Sequence, residues 1–182
     1  DKKRNVVLIL FSISVHESSA ILNMAYYALR ELEGVEVWLR PHPFLRIEDV
    51  LRNSSFDREE IPFKFKNGPI AESLREARIV IGGESGTCVE ALAFGCKVII
   101  VNSPEWINTS PLAQEKSDMI KKVSSVDELR KVVKEMISEK YEPGPLKPES
   151  VRIINDFFYL DPVSNTPSRI LGLLKGKDED MV

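Results

Sequence analysis

The sequence is poor in cysteine and histidine, has no excess of basic residues and contains no long hydrophobic run. Its 182 residues include two cysteines and two histidines, and 25 Lys and Arg face 28 Asp and Glu for a net charge of -3. Electrostatic capture of nucleic acid or of an anionic membrane needs a basic excess, so we expect neither partner. The apolar runs are far shorter than the roughly 20 residues of a membrane helix. These absences predict a soluble, ordered domain.

The two cysteines argue against both a disulfide framework and a zinc site. Cys88 and Cys96 have no companion pair and lie in an apolar stretch of the chain. We therefore expect buried thiols in a reducing compartment, which favours a cytoplasmic location. The chain begins at Asp1 without an initiator methionine. We interpret it as a piece of a longer protein.

Short apolar runs alternate with segments of helical periodicity. Continuous apolar runs predict buried strands over residues 6–11, 35–39, 78–81 and 97–101, and residues 62–66 alternate like an edge strand. Helical spacing and capping patterns predict helices over residues 21–32, 46–52, 70–77, 87–94 and 125–137. This alternation predicts an α/β fold: a three-layer, Rossmann-like parallel sheet with helices on both faces.

Polar and special residues follow the carboxyl ends of these strands. They occupy residues 12–16, 40–43, 82–87 and 102–106. Because parallel strands end at one edge of the sheet, and ligands bind there in such folds, we expect these segments to line one rim.

The strongest motif is the turn of residues 82–87, Gly-Gly-Glu-Ser-Gly-Thr, between a strand and a helix. Glycines allow a phosphate to approach the backbone closely, and free amides at a helix start bind anions. The alternative is a capping box formed by Thr87 and Glu90, which needs no ligand. The turn is neither a Walker loop nor a dinucleotide-binding glycine motif.

Four features follow one another in the sequence: a strand, a Gly/Ser/Thr turn, the pattern Glu-Ala-x-x-x-Gly and a Lys-Val-Ile-Ile-Val strand. This order resembles the carboxyl-terminal half of a GT-B glycosyltransferase. It also resembles the related UDP-N-acetylglucosamine 2-epimerases. The resemblance implies that Ser85, Gly86 and Thr87 bind the nucleotide diphosphate and that Glu90 binds the ribose. It implies a nucleotide sugar (UDP-, CDP-, GDP- or CMP-linked) as substrate, with no further cofactor and no metal ion.

Two further segments carry candidate binding residues. Arg40-Pro41-His42-Pro43 is similar to a His-Pro segment of capsule glycosyltransferases and CDP-glycerol polymerases, which implies that His42 lies at the nucleotide. The alternative is a histidine bonded to a neighbouring carbonyl. In the first strand-to-helix turn the superfamily places further phosphate contacts, and the candidates are Ser12, Ser14 and His16. Here Ser18 and Ser19 could instead cap the following helix.

Two other loops do not decide between a transferase, an isomerase and a scaffold without ligand binding. Residues 67–70 fall where the family wraps a loop around the nucleobase, with Phe65 or Ile70 as contacts, although a plain turn explains them equally well. Residues 102–105 are Asn-Ser-Pro-Glu, without the arginine of the epimerase motif. An isomerase or a scaffold without ligand binding remains as an alternative.

We divide the chain into a Rossmann-like nucleotide-sugar-binding domain, residues 1–140, and an irregular, proline-rich carboxyl-terminal arm, residues 141–182. The arm has an apolar anchor at 153–159 and a short helix near 168–174. It resembles a tail of capsule polysaccharide synthesis proteins that crosses to the amino-terminal domain, or it fills a surface groove. The expected function is glycosyl transfer in surface polysaccharide or glycoconjugate synthesis. An amino-terminal domain absent from this sequence would be its partner.

Overall fold

A single parallel sheet organises the computed structural model, which describes residues 5–103, 107–140 and 145–158. Its strands are β1 (Val6–Leu10), β2 (Glu36–Arg40), β3 (Lys64–Phe65), β4 (Ile79–Gly82), β5 (Lys97–Val101) and β6 (Ile120–Val123). They lie in the order β3-β2-β1-β4-β5-β6, and every neighbouring pair is parallel. The strand order places β1 and β4 at the centre.

Helices cover both faces of this sheet. They are α1 (Val15–Leu29), α2 (Ile47–Arg52), α3 (Ile70–Glu76), α4 (Thr87–Ala93), α5 (Val126–Ser138) and α6 (Pro148–Phe157), with a short 3-10 turn at Arg58–Glu60. Buried side chains of α1, α2 and α5 belong to one apolar cluster, and those of α3, α4 and α6 belong to the other. The predicted three-layer, Rossmann-like fold is confirmed.

The continuous apolar run of β1 is explained by burial on both faces. Val7 and Ile9 contribute to the cluster under α1, while Val6 and Leu8 contribute to the cluster under α4. All four side chains are fully buried. A strand with one solvent-facing side would alternate apolar and polar residues, so the run itself required helices on both sides.

Strand β6 was not predicted from the sequence. Its residues are Ile120-Lys121-Lys122-Val123, with buried ends and two exposed lysines between them. Such a short edge strand has neither the alternation nor the apolar run that marks a strand. Backbone pairing with β5, from Val98 opposite Ile120 to Val101 opposite Val123, defines it instead.

The arm that we expected to be irregular contains helix α6. Pro148 is the first helical residue, a position where the missing amide hydrogen of proline costs nothing. The prolines therefore mark a helix start here. Ile153, expected as an anchor, is fully buried against the α4 side of the sheet. Tyr159 and the expected helix near 168–174 lie outside the described residues.

No helix in the described ranges is long and apolar enough to cross a membrane.

Candidate functional site

The candidate site lies at the carboxyl edge of the sheet, where the chain turns from β1 to one side and from β4 to the other. The strand order reverses between these two neighbours. Loops that leave adjacent strands in opposite directions open a crevice, which is the usual ligand site of such sheets. The turns after β1 and β4 flank this crevice, and the loop after β2 lies next to them. These segments share one edge, as the sequence predicted.

The turn between β4 and α4 presents three consecutive backbone amides that donate to no other described residue. They belong to Ser85, Gly86 and Thr87, and the two hydroxyls of this segment also lack a partner there. The carbonyls of Ser85 and Gly86 are used, since they accept from Cys88 N at 3.0 Å and Val89 N at 2.9 Å. Gly86 is exposed and its two neighbours are half-buried. The turn therefore offers open donors of the kind that bind anionic oxygens.

The capping box considered for Thr87 and Glu90 is not formed. Thr87 is the first residue of α4, the cap position falls on Gly86, and no side chain caps the helix. In a capping box the threonine occupies the cap position, which is held here by Gly86, so this alternative is wrong. Glu90 is half-buried and forms no hydrogen bond with another described residue. Its carboxylate is available to a ligand.

The turn between β1 and α1 contains Ser12, Ser14 and His16. Ser14 caps α1, because its hydroxyl accepts from Glu17 N at 3.3 Å. The buried Ser12 hydroxyl accepts from Ser14 N at 3.1 Å, and His16 is exposed in the first helical turn. Ser18 and Ser19 lie inside the helix, so the alternative that they cap it is wrong.

His42 lies in the loop after β2 and is half-buried. Its Nδ1 accepts from Phe44 N at 3.2 Å, so a neutral imidazole carries its proton on Nε2. Among the described residues, His42 forms no bond to a neighbouring carbonyl, which was the alternative that we considered. Arg40, at the end of β2, donates to the carbonyls of Lys66 and Gly68. This contact fixes the loop in which we placed the nucleobase.

Glu17, a residue that the sequence reasoning did not select, joins the two central turns. Its side chain is 4% exposed, and its Oε1 accepts from Glu84 N at 3.0 Å. Burial raises the pKa of Glu17, while the Ser12 hydroxyl and the Glu84 amide partly oppose this shift. The signals available were a lone acid in a Ser- and His-rich turn and the Gly82-Gly83 pair, because paired glycines indicate a close approach.

Cys88 lies beneath the same turn. Burial, with a smaller contribution from the charge of Glu17, raises the pKa of Cys88 to about 12. Its thiol therefore stays protonated near neutral pH and is a poor nucleophile. Cys88 and Cys96 are free and buried, as expected.

The segment after β5 is tied to the same edge. Thr109 Oγ1 donates to Glu84 Oε2 at 2.8 Å, and Asn108 donates to the Asn102 side chain. Residues 104 and 105 of the segment that we compared with the epimerase motif lie outside the described residues, as does residue 106. Within the described ranges, no three His, Cys, Asp or Glu side chains come together as a group that could hold a metal ion.

Large apolar side chains are exposed in three loops of this edge. Ile13 is 61% exposed, Phe44 is 83% exposed and Ile107 is 86% exposed. They follow β1, β2 and β5, so they flank the polar turns described above. The edge thus combines open hydrogen-bond donors with apolar surface.

A cavity of about 620 Å³ lies elsewhere, at the amino edge of the sheet. It is lined by residues such as Arg78, Gly95 and Lys97, and by none of the eight predicted site residues. We place the candidate site by the unpaired donors of the β4–α4 turn, which lie at the opposite edge from this cavity.

No family model and no curated protein matches the sequence. Solved structures of similar fold do match. The calicheamicin glycosyltransferase CalG4 is 14% identical with a TM-score of 0.56, and the match covers 97% of this chain and 42% of that one. TarM is 10% identical with a TM-score of 0.57, over 96% of this chain and 35% of that one.

The UDP-GlcNAc 2-epimerase of Methanocaldococcus jannaschii, solved with UDP-GlcNAc and UDP, is 15% identical with a TM-score of 0.54. That match covers 86% of this chain and 46% of the epimerase. In these three comparisons the chain spans less than half of the structure that it matches. The chain therefore has the Rossmann-like α/β fold that forms one half of GT-B glycosyltransferases.

Proposed function

We propose that this chain is the nucleotide-sugar-binding, carboxyl-terminal domain of a cytoplasmic glycosyltransferase that acts in surface polysaccharide or glycoconjugate synthesis. The observation that carries the proposal is the run of open amides at Ser85, Gly86 and Thr87, beside the point where the strand order reverses. A diphosphate brings several anionic oxygens to such a turn. The half-GT-B fold supports the same assignment.

In this proposal the open amides and the hydroxyls of Ser85 and Thr87 bind the diphosphate. Glu90 accepts hydrogen bonds from the ribose hydroxyls, which its unpaired carboxylate allows. His42 donates from Nε2 to the phosphate or the base, since its Nδ1 is already occupied. Ser12, Ser14 and His16 complete the phosphate side of the crevice from the turn after β1.

The same donors explain how transfer would proceed without a metal ion. As the bond between the sugar and the diphosphate breaks, negative charge grows on the departing diphosphate. Preorganised amide donors stabilise that charge without reorganising during the reaction. The acceptor and its base would come from an amino-terminal domain, and the exposed Ile13, Phe44 and Ile107 give that domain an apolar surface to contact.

Titration calorimetry with UDP-, CDP-, GDP- and CMP-linked sugars tests the proposal. We expect one class to bind, and we expect Ser85→Ala/Thr87→Ala to weaken binding by about tenfold or more, since a hydrogen bond to a charged group contributes ~1.5–3 kcal/mol. Glu90→Ala should remove the preference for a ribonucleotide over its 2′-deoxy form. Ser138→Ala, an exposed hydroxyl at the far end of α5, is the matched control and should bind as wild type.

Failure of every nucleotide sugar to bind would refute the proposal and leave the scaffold alternative. Product analysis with UDP-N-acetylglucosamine tests the alternative that the chain is an isomerase domain. Conversion to the 2-epimer would identify an isomerase, whereas an unchanged sugar with measurable binding supports the transferase domain.

A further inference from the structure

Glu17 connects two segments that are far apart in the sequence and adjacent at the crevice. It lies in the first turn of α1, and its Oε1 accepts from Glu84 N, the amide directly before the open run of the β4–α4 turn. Its other oxygen, Oε2, is buried and has no hydrogen-bond partner in the part of the chain that the structure describes. A buried carboxyl with one satisfied oxygen is costly to keep, so its presence calls for an explanation.

The backbone at Gly83 passes so close to the Glu17 carboxyl group that a side chain at this position would collide with it. A Cβ atom at Gly83 would lie 1.7 Å from Glu17 Oε1 and 2.7 Å from Glu17 Cδ. Any side chain there would displace the carboxyl and break its bond to Glu84 N. The close approach of Glu17 to the backbone therefore depends on two residues, the acid on α1 and the glycine in the turn.

The groups around the Glu17 carboxyl fix its position on the turn. They are the Ser12 hydroxyl, the Glu84 amide and carboxylate, and the Cys88 thiol of α4. Burial raises the pKa of Glu17, and the hydrogen bonds from the Ser12 hydroxyl and the Glu84 amide partly oppose this shift. Oε1 can accept from Glu84 N whether the carboxyl is neutral or ionised.

We propose that Glu17 is a positioning residue for the nucleotide diphosphate: its carboxyl holds Gly83 and Glu84 so that the next three amides stay open. The inference rests on the proposed function of this turn. It assigns Glu17 no contact with the ligand, because both of its oxygens are buried or bonded to the turn.

Calorimetry on the full chain tests the role. The probe is UDP-N-acetylglucosamine, with the other nucleotide sugars as further probes. Glu17→Ala removes the acceptor of the Glu84 amide and should bind about tenfold more weakly than wild type. Glu17→Gln keeps a side-chain oxygen as acceptor and should restore binding to near the wild-type affinity.

The matched control is Glu31→Gln, which removes an exposed carboxylate from the end of the same helical region. It should keep the wild-type affinity. A Glu17→Ala variant that binds as tightly as wild type, or a Glu17→Gln variant that binds as weakly as Glu17→Ala, would overturn the positioning role. Gly83→Ala should reproduce the loss seen in Glu17→Ala.

Hydrogen exchange of the Glu84 amide, without nucleotide, separates failure of this inference from failure of the proposed function. The amide should be protected in wild type and Glu17→Gln and exchange about tenfold faster or more in Glu17→Ala. Equal protection in the alanine variant would refute the positioning role even if nucleotides bind. Absence of binding in wild type, with the expected exchange pattern, would refute the nucleotide function and leave Glu17 as a turn-holding residue.

Discussion

Two carboxylates flank the turn after β4, and their surroundings are opposite. Glu17 is 4% exposed and accepts from a backbone amide, whereas Glu90 is half-buried and has no partner among the described residues. Burial disfavours the charged form of the first and leaves the second in contact with solvent. Two glutamates therefore differ in their surroundings: Glu17 is buried in the scaffold, and Glu90 lies partly exposed at the surface.

The raised pKa of Glu17 makes the stability of the folded chain depend on pH. The folded state holds this proton more tightly than the unfolded state does, so stability falls as pH rises from about 4.5 through the raised value. Glu17→Gln has no such proton to lose. We expect the stability of Glu17→Gln relative to wild type to increase with pH over this range. Urea denaturation of both proteins at several pH values measures it, and parallel curves would contradict the shift.

Helices α4 and α5 begin in different ways, and the difference marks the candidate site. Ser125 caps α5, with its hydroxyl accepting from Glu128 N at 3.2 Å, while the Glu128 side chain accepts from Ser124 N at 2.7 Å. The cap position of α4 is Gly86, and among the described residues no side chain caps this helix. Unsatisfied amides reduce the stability of a helix, so an uncapped start beside a crevice suits a ligand-binding role.

Alanine substitution at the two helix starts should separate capping from binding. Ser125→Ala should cost about 1 kcal/mol of unfolding free energy, because it removes a cap. Thr87→Ala should cost less than about 0.5 kcal/mol, since its hydroxyl bonds to no described residue. Urea denaturation measures both. Equal losses would indicate that Thr87 does cap α4 in solution.

At the scale of the whole molecule, both faces of the sheet are closed by helices that come late in the sequence. Helix α5 packs beside α1, and α6 packs beside α4. Arg78 adds a link across the amino edge, where it donates to Asn5 Oδ1 at 3.0 Å and to the carbonyl of Glu139. The core is therefore complete only when residues well beyond the motif-bearing segment have folded.

Truncating Ile153 tests whether α6 belongs to this core. Its side chain is fully buried, so Ile153→Ala should cost about 2–5 kcal/mol of unfolding free energy. Val151, on the same helix, is 41% exposed and serves as the control, with an expected change near 0.5 kcal/mol for alanine. Denaturant unfolding gives both values. A loss at Ile153 no larger than at Val151 would mean that α6 does not pack there in solution.

The fold class was predictable because the central strands carry their pattern locally. Runs such as that of β1 are apolar at every position, and this pattern requires burial on both faces. The turn of residues 82–87 was predictable for the same reason, since its glycines and hydroxyls are contiguous in the sequence. Strand β6 was missed because two lysines occupy its centre, and only backbone pairing to β5 makes it a strand.

Local patterns of residues were enough to predict the parallel sheet and the edge at which the polar turns gather, because each depends on neighbours in the chain. Tertiary structure alone decided that Thr87 falls one position past the helix cap and that Glu17 reaches Glu84, 67 residues away. The contact between Glu17 and Glu84 joins α1 to the turn before α4, and it forms because packing brings these two segments together. No local pattern of residues records that packing.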